Sequence, residues 1–180
     1  DVATATADII EIYGASFIQA IGDLSKCYLG DNNFSMASRL QSLIIGSGVE
    51  GYQNQFLTQL KLGNNKLLEY LDVRNTIGIN EPLDLSECHN LIELRAEGSG
   101  ATGVIFANGG KIERAYIPAV TSLTMKNLNY IETFEVASYE KLQRLVAENI
   151  HGIDTHAIVD ASPILNTIRL VGINWDKDFN

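Results

Sequence analysis

Gly98-Ser99-Gly100-Ala101-Thr102-Gly103 spells the glycine pattern that cradles a dinucleotide pyrophosphate. That chemistry needs a strand before the glycines and a helix after them, because the helix N-terminus supplies amide donors and positive potential. Here Val104-Ile105-Phe106 continues as another apolar strand segment, and no helical pattern opens. The spacing predicts a repeat corner instead of a cofactor loop. His151, Asp154 and His156, with Glu148 close by, carry metal-ligand side chains. No helix brings His151 and His156 to one face at that separation, and no cysteine supports them. A polar corner is the expectation there.

Asn33-Phe34-Ser35 is an N-glycosylation sequon, meaningful only in a eukaryotic secretory host. Cys27 and Cys88 stand in similar strings, Asp23-Leu24-Ser25-Lys26-Cys27 and Asp84-Leu85-Ser86-Glu87-Cys88. Two cysteines make no disulfide framework in a chain of 180 residues, so small buried residues at equivalent corners are expected. The sequence holds neither a Gly-x-Ser-x-Gly elbow nor a Walker loop. Taken together, these residues predict no enzyme, no cofactor and no metal.

The elements that must position the side chains show in the apolar spacing. One pattern recurs: apolar, two residues, apolar, one residue, apolar. It is intact at Leu57-Leu60-Leu62, Leu68-Leu71-Val73, Leu91-Leu94-Ala96, Ile112-Ala115-Ile117, Val120-Leu123-Met125 and Ile131-Phe134-Val136. Leu142-Leu145-Ala147 and Leu165-Ile168-Leu170 follow, and Leu40-Leu43-Ile45 precedes them all. Leu83-Leu85, Val104-Phe106 and Ala157-Val159 are weaker copies that keep only the last two apolar positions.

Starts then fall every 8 to 12 residues in two alternating registers. One begins at residues 57, 80, 101, 120, 142 and 165, the other at 68, 91, 112, 131 and 154. Within a register the step is 19 to 23 residues, the range of leucine-rich repeats. Apolar residues two apart face one side of a strand, and stacked coils bury a stripe that a single coil cannot. The sequence thus predicts a mainly β, leucine-rich-repeat-like two-sided β-solenoid. Gly63-Asn64-Asn65, Gly98-Ser99-Gly100, Asn108-Gly109-Gly110 and Lys126-Asn127 mark its corners.

Residues 1–50 break the register and are expected to form an N-terminal cap with the first strand, ahead of a continuous solenoid over 51–180. A short helix is expected from an N-cap at Ser35 through Leu40. Ile173, Trp175 and Phe179 are candidates to cover the last coil. Asp1-Val2-Ala3-Thr4 reads as the cut end of something longer.

A net charge of −9 disfavours nucleic acid and anionic membrane surfaces as partners. The longest apolar run, Val104-Ile105-Phe106-Ala107, is far too short to insert in a membrane. Between the apolar positions, one sheet is expected to show a charged ladder: Glu69, Tyr70, Asp72; Ile92, Glu93, Arg95; Glu113, Arg114, Tyr116; Glu132, Thr133, Glu135. The other shows Thr58, Gln59, Lys61; Thr102, Gly103, Ile105; Thr121, Ser122, Thr124; Gln143, Arg144, Val146, a small and nearly neutral set. Tyr and Arg are favoured at contact surfaces, which makes Tyr70, Arg95, Arg114 and Tyr116 the candidate interaction face. The bland alternative is charge pairing across strands that merely keeps the sheet soluble.

Ile21-Gly22-Asp23-Leu24-Ser25, Ala37-Ser38-Arg39-Leu40-Gln41-Ser42-Leu43-Ile44-Ile45-Gly46 and Leu62-Gly63-Asn64-Asn65 carry a resemblance, as do Leu68 to Asn75 and Ile168 to Trp175. The chain resembles the leucine-rich-repeat segments of large virion structural proteins from bacteriophages of Gram-positive gut bacteria. That resemblance implies a non-enzymatic module of a phage tail or other virion component, with other virion subunits or a host surface protein or glycan as partners. The chain departs from the pattern between Glu148 and Ile158, where Asp154 occupies an expected apolar start. The alternative reading is a ligand-binding repeat domain of a bacterial cell-surface adhesin, extracellular instead of virion-borne.

Overall fold

The computed structural model describes residues 20–21, 32–35, 37–46, 48–49, 53–128 and 131–173. Cys27, Trp175 and Phe179 lie outside the described residues, as does most of the expected cap. The strands, in chain order, are β1 (Ala20–Ile21), β2 (Asn32–Asn33), β3 (Ser42–Ile44), β4 (Leu60–Lys61), β5 (Tyr70–Asp72) and β6 (Leu83–Leu85). They continue as β7 (Glu93–Arg95), β8 (Gly103–Phe106), β9 (Arg114–Ile117), β10 (Ser122–Lys126), β11 (Thr133–Val136) and β12 (Arg144–Glu148). A helix, α1 (Thr155–Asp160), precedes β13 (Thr167–Val171).

The protein is a β-solenoid. A six-stranded sheet runs β1-β3-β5-β7-β9-β11, and a five-stranded sheet runs β13-β12-β10-β8-β6. Pairing is parallel, and each link skips one strand except β12–β13, where α1 stands in the place of the skipped strand, so the chain alternates between two sides as it climbs. Parallel strands need such crossovers, here supplied by the corner and the opposite strand. β3 and β5 pair across residue 50, so the first sheet reaches back through the region read as a cap.

Alternation explains the core. In β6 Leu83 and Leu85 are buried while Asp84 is exposed, and β10 buries Leu123 and Met125 between half-buried neighbours. Rows of equivalent positions stack through the molecule, such as Leu43-Leu71-Leu94-Ala115. All four are 0% exposed. Burying one such leucine stabilises the fold by about 1.5–3 kcal/mol.

The glycines of the dinucleotide-like string follow from coil stacking. Gly98 adopts a left-handed φ of 66° over the Asn75 side chain, and a side chain on Gly100 would strike the carbonyls of Ile77 and Ile79. Ser99 N–H then donates to the Ala96 carbonyl at 3.1 Å, and the chain enters β8.

Three expectations are corrected. Around Ser35 there is no helix among the described residues. Ala37 N–H donates to the Phe34 carbonyl and Leu40 N–H to that of Ala37, each at 2.9 Å, which are successive turns. Phe34 is already tied to Lys61 at 2.7 Å, which commits the upstream backbone to strand pairing.

The copy starting at residue 154 is helix α1, not a strand. Asp154 cannot enter an apolar core, and its carboxylate instead accepts from Ala157 N–H at 2.9 Å as the N-cap. Ile158 keeps the apolar contact by burying itself from the helix.

The copy at Leu57 places β4 beside β2, in a separate two-stranded sheet that does not join β6. At the register position of Pro82, Ser122, Arg144 and Thr167 each donate an amide to the preceding coil. Proline has no such donor. A cleft of about 360 Å³ opens there, lined by Leu60, Lys61, Leu62, Glu81, Pro82 and Asp84 among others.

Candidate functional site

The long sheet fixes the candidate face by register. Tyr70, Glu93, Arg114 and Thr133 form one cross-strand row, and Asp72, Arg95, Tyr116 and Glu135 form the next outward row. Between them the Leu71-Leu94-Ala115-Phe134 row points inward. Outward residues two apart share a face, so the Tyr and Arg side chains are brought onto one surface. Tyr70, Arg95, Arg114 and Tyr116 are all half-buried.

Glu93 is the hub. Arg95 Nε donates to one of its carboxylate oxygens at 2.7 Å, and Arg114 Nε to the other at 2.9 Å. Burial of Glu93 pushes its carboxyl up, but the hydrogen bonds and charges of the two guanidiniums outweigh it and hold the group below the usual carboxylate range. Arg114 Nη1 also lies 3.7 Å from both Glu113 and Glu132. The Arg95 guanidinium sits 5.3 Å from the ring centroid of Tyr116, a cation–π contact. Burial, then the nearby Asp72 charge, raises the Tyr70 phenol above its ordinary value.

Asp72, expected on the outward ladder, is instead buried, with its side chain 2% exposed. Its carboxylate receives Arg74 twice, from Nε at 3.1 Å and Nη2 at 2.6 Å, and also accepts the Arg74 amide at 3.0 Å. This pairing raises the Arg74 guanidinium further. The Gly46 and Gly48 corner closes over it: a side chain on Gly48 would strike the Arg74 guanidinium. The signal was present as acid-x-Arg in consecutive coils, Asp72-Val73-Arg74 and Glu93-Leu94-Arg95, a spacing that puts acid and base on one strand face.

Elsewhere the polar clusters separate. His151 is exposed, Asp154 caps α1, and His156 Nδ1 lies 3.2 Å from Asp160. Glu148 binds Arg169, and Lys126 at 3.2 Å, and these partners hold its carboxyl low. Among the described residues no group of three or more His, Cys, Asp and Glu is placed to hold a metal ion. Cys88 is buried, and desolvation pushes its thiol up to about 12. Beside it lies an apolar void of about 10 Å³. On the second sheet Val146 is also buried, not outward as expected. No helix among the described residues is long and apolar enough to cross a membrane.

Comparison with protein-family models, curated proteins and solved structures finds no match. What the face can do is therefore argued from its geometry. Charge-assisted hydrogen bonds fix both arginines before any partner arrives, and the two tyrosines flank them with flat amphipathic rings. Such a surface offers flat rings and fixed polar groups for contact.

Proposed function

We propose that the chain is a non-catalytic structural and interaction module that presents the face of Tyr70, Arg95, Arg114 and Tyr116 to a partner. The observation that carries this reading is the clamp of both arginines on Glu93, with Arg95 lying on Tyr116. A surface already ordered in the free protein loses little side-chain entropy on binding. The likeness of its repeat strings to leucine-rich-repeat segments of phage virion proteins supports a place in a tail or other virion component. The partner is then another virion subunit or a host surface protein or glycan.

Alanine at Tyr70, Arg95, Arg114 and Tyr116 together tests the face. The far-ultraviolet circular dichroism should remain that of the solenoid, since the inward rows are untouched. Capture of dissociated virion subunits should weaken by roughly thirtyfold or more, the effect of losing even one strong anchor. Binding that is undiminished in the folded variant would exclude this face. Retention on Gram-positive cell walls or purified glycans, with no capture of virion subunits, would move the assignment to a surface adhesin.

A further inference from the structure

A line of asparagines climbs one corner of the second sheet. Asn149 Nδ2 donates to Asn127 Oδ1 at 2.6 Å, and Asn127 Nδ2 donates to Asn108 Oδ1 at 2.7 Å. Asn127 and Asn149 take the left-handed conformation with φ of 51° and 50°, and each sends its amide to the next coil, to Glu148 and Val171. Gly172, with φ of 64°, holds the next equivalent place, under the Asn149 carboxamide. One coil earlier the left-handed residue is Gly109, φ 69°, and its amide donates to the Lys126 carbonyl at 3.0 Å. Asn108 thus stands immediately before the turning glycine.

Asn108-Gly109 is the only Asn-Gly pair in the sequence. Both residues are exposed, and nothing crowds the space where a Gly109 side chain would be. Glycine offers the least resistance to ring closure on its own nitrogen. We propose that Asn108 is a site of spontaneous deamidation, and that the Asn127 carboxamide restrains it by holding the Asn108 side chain along the ladder. In the reaction the Gly109 amide nitrogen attacks Cγ of Asn108, loses its proton and forms the ring C–N bond. The side-chain nitrogen leaves as ammonia. Water then opens the succinimide at either carbonyl, giving aspartate or isoaspartate.

Two hydrogen bonds stand against this step. Attack needs the Gly109 amide released from Lys126 and the Asn108 carboxamide swung away from Asn127. The aspartate product can still accept from Asn127, whereas isoaspartate adds a methylene to the backbone at the corner.

The test is Asn127→Gly, which keeps the left-handed turn as Gly172 already does and removes the carboxamide. Asn127→Ala is the second variant, since it also removes the carboxamide and leaves nothing for the Asn108 side chain to bond to at that position. Folded wild type and both variants are incubated at neutral pH, digested, and the peptide containing Asn108 is followed by mass spectrometry with separation of the two products. Deamidation at Asn108 should run about fivefold faster in both variants, the factor that one net hydrogen bond supplies. Equal rates in wild type and variants, all with native circular dichroism, would overturn the restraint. An intact Asn108 in the folded variants, under conditions where the urea-unfolded chain deamidates, would overturn the site itself.

Discussion

At the scale of the residue, the face depends on a carboxylate that stays ionised. Glu93 is buried to 13% side-chain exposure and would by that alone favour its neutral form, but Arg95 and Arg114 reverse the balance. A carboxyl whose pKa is depressed by folding stabilises the native state above its unfolded pKa, and that contribution disappears as pH falls through the folded value. As pH falls below the ordinary carboxylate range and through the depressed folded value, the wild type should therefore lose stability at Glu93. Glu93→Gln should be less stable than wild type at neutral pH, by about 1 kcal/mol after screening at a half-exposed face. It should also lack that share of the acid loss, so the two melting-temperature curves converge on acidification. Parallel curves would mean that the guanidiniums do not grip Glu93 in solution. Asp72 shows why such residues are hard to read in advance. Alternation places it outward, and only the Arg74 fork and the Gly46–Gly48 corner turn it into a buried ion pair.

At the scale of the element, α1 takes the place of a strand because one residue forbids the strand. Asp154 in an inward position would bury an unpaired charge, whereas as an N-cap it satisfies the Ala157 amide. Asp154→Ala should cost about 1 kcal/mol, the usual worth of such a cap. Hydrogen exchange should show the loss first at the amides of Ala157 and Ile158, with the central strands unchanged. Equal protection of those amides in the variant would mean that packing of Ile158 alone holds the helix. The same comparison separates what the sequence shows from what it hides. Inward rows such as Leu71-Leu94 and Leu123-Leu145 were legible because each position is apolar at a constant spacing. The gap beside β4 was not, since Leu57-Leu60-Leu62 repeats faithfully and the interruption lies in the following coil, at Pro82. The candidate residues were legible as surface, but Glu93 as the shared partner of Arg95 and Arg114 emerges only once neighbouring coils are set in register.

At the scale of the whole molecule, a solenoid is stabilised by nearest-neighbour stacking, so the consequence of a substitution depends on how many coils cover it. Leu145 and Ile168 occupy the same inward row on adjacent strands, yet Leu145 is 0% exposed and Ile168 is 50% exposed. Among the described residues β12 is covered by β10 on one side and β13 on the other, while β13 has a strand neighbour on one side, β12. Ile164 and Val171 share that exposure at the same end of the stack. An aspartate at position 145 must be desolvated between two coils with no partner, a cost of several kcal/mol that a domain with marginal stability cannot absorb. At position 168 the same carboxylate can reach water by a small rotation. Leu145→Asp should therefore abolish the cooperative thermal transition, and Ile168→Asp should lower the melting temperature only slightly while leaving the circular dichroism intact. Equal damage from both would show that the last coil is covered in solution as fully as the middle ones. Equal tolerance would mean that the stack does not transmit its stability from coil to coil.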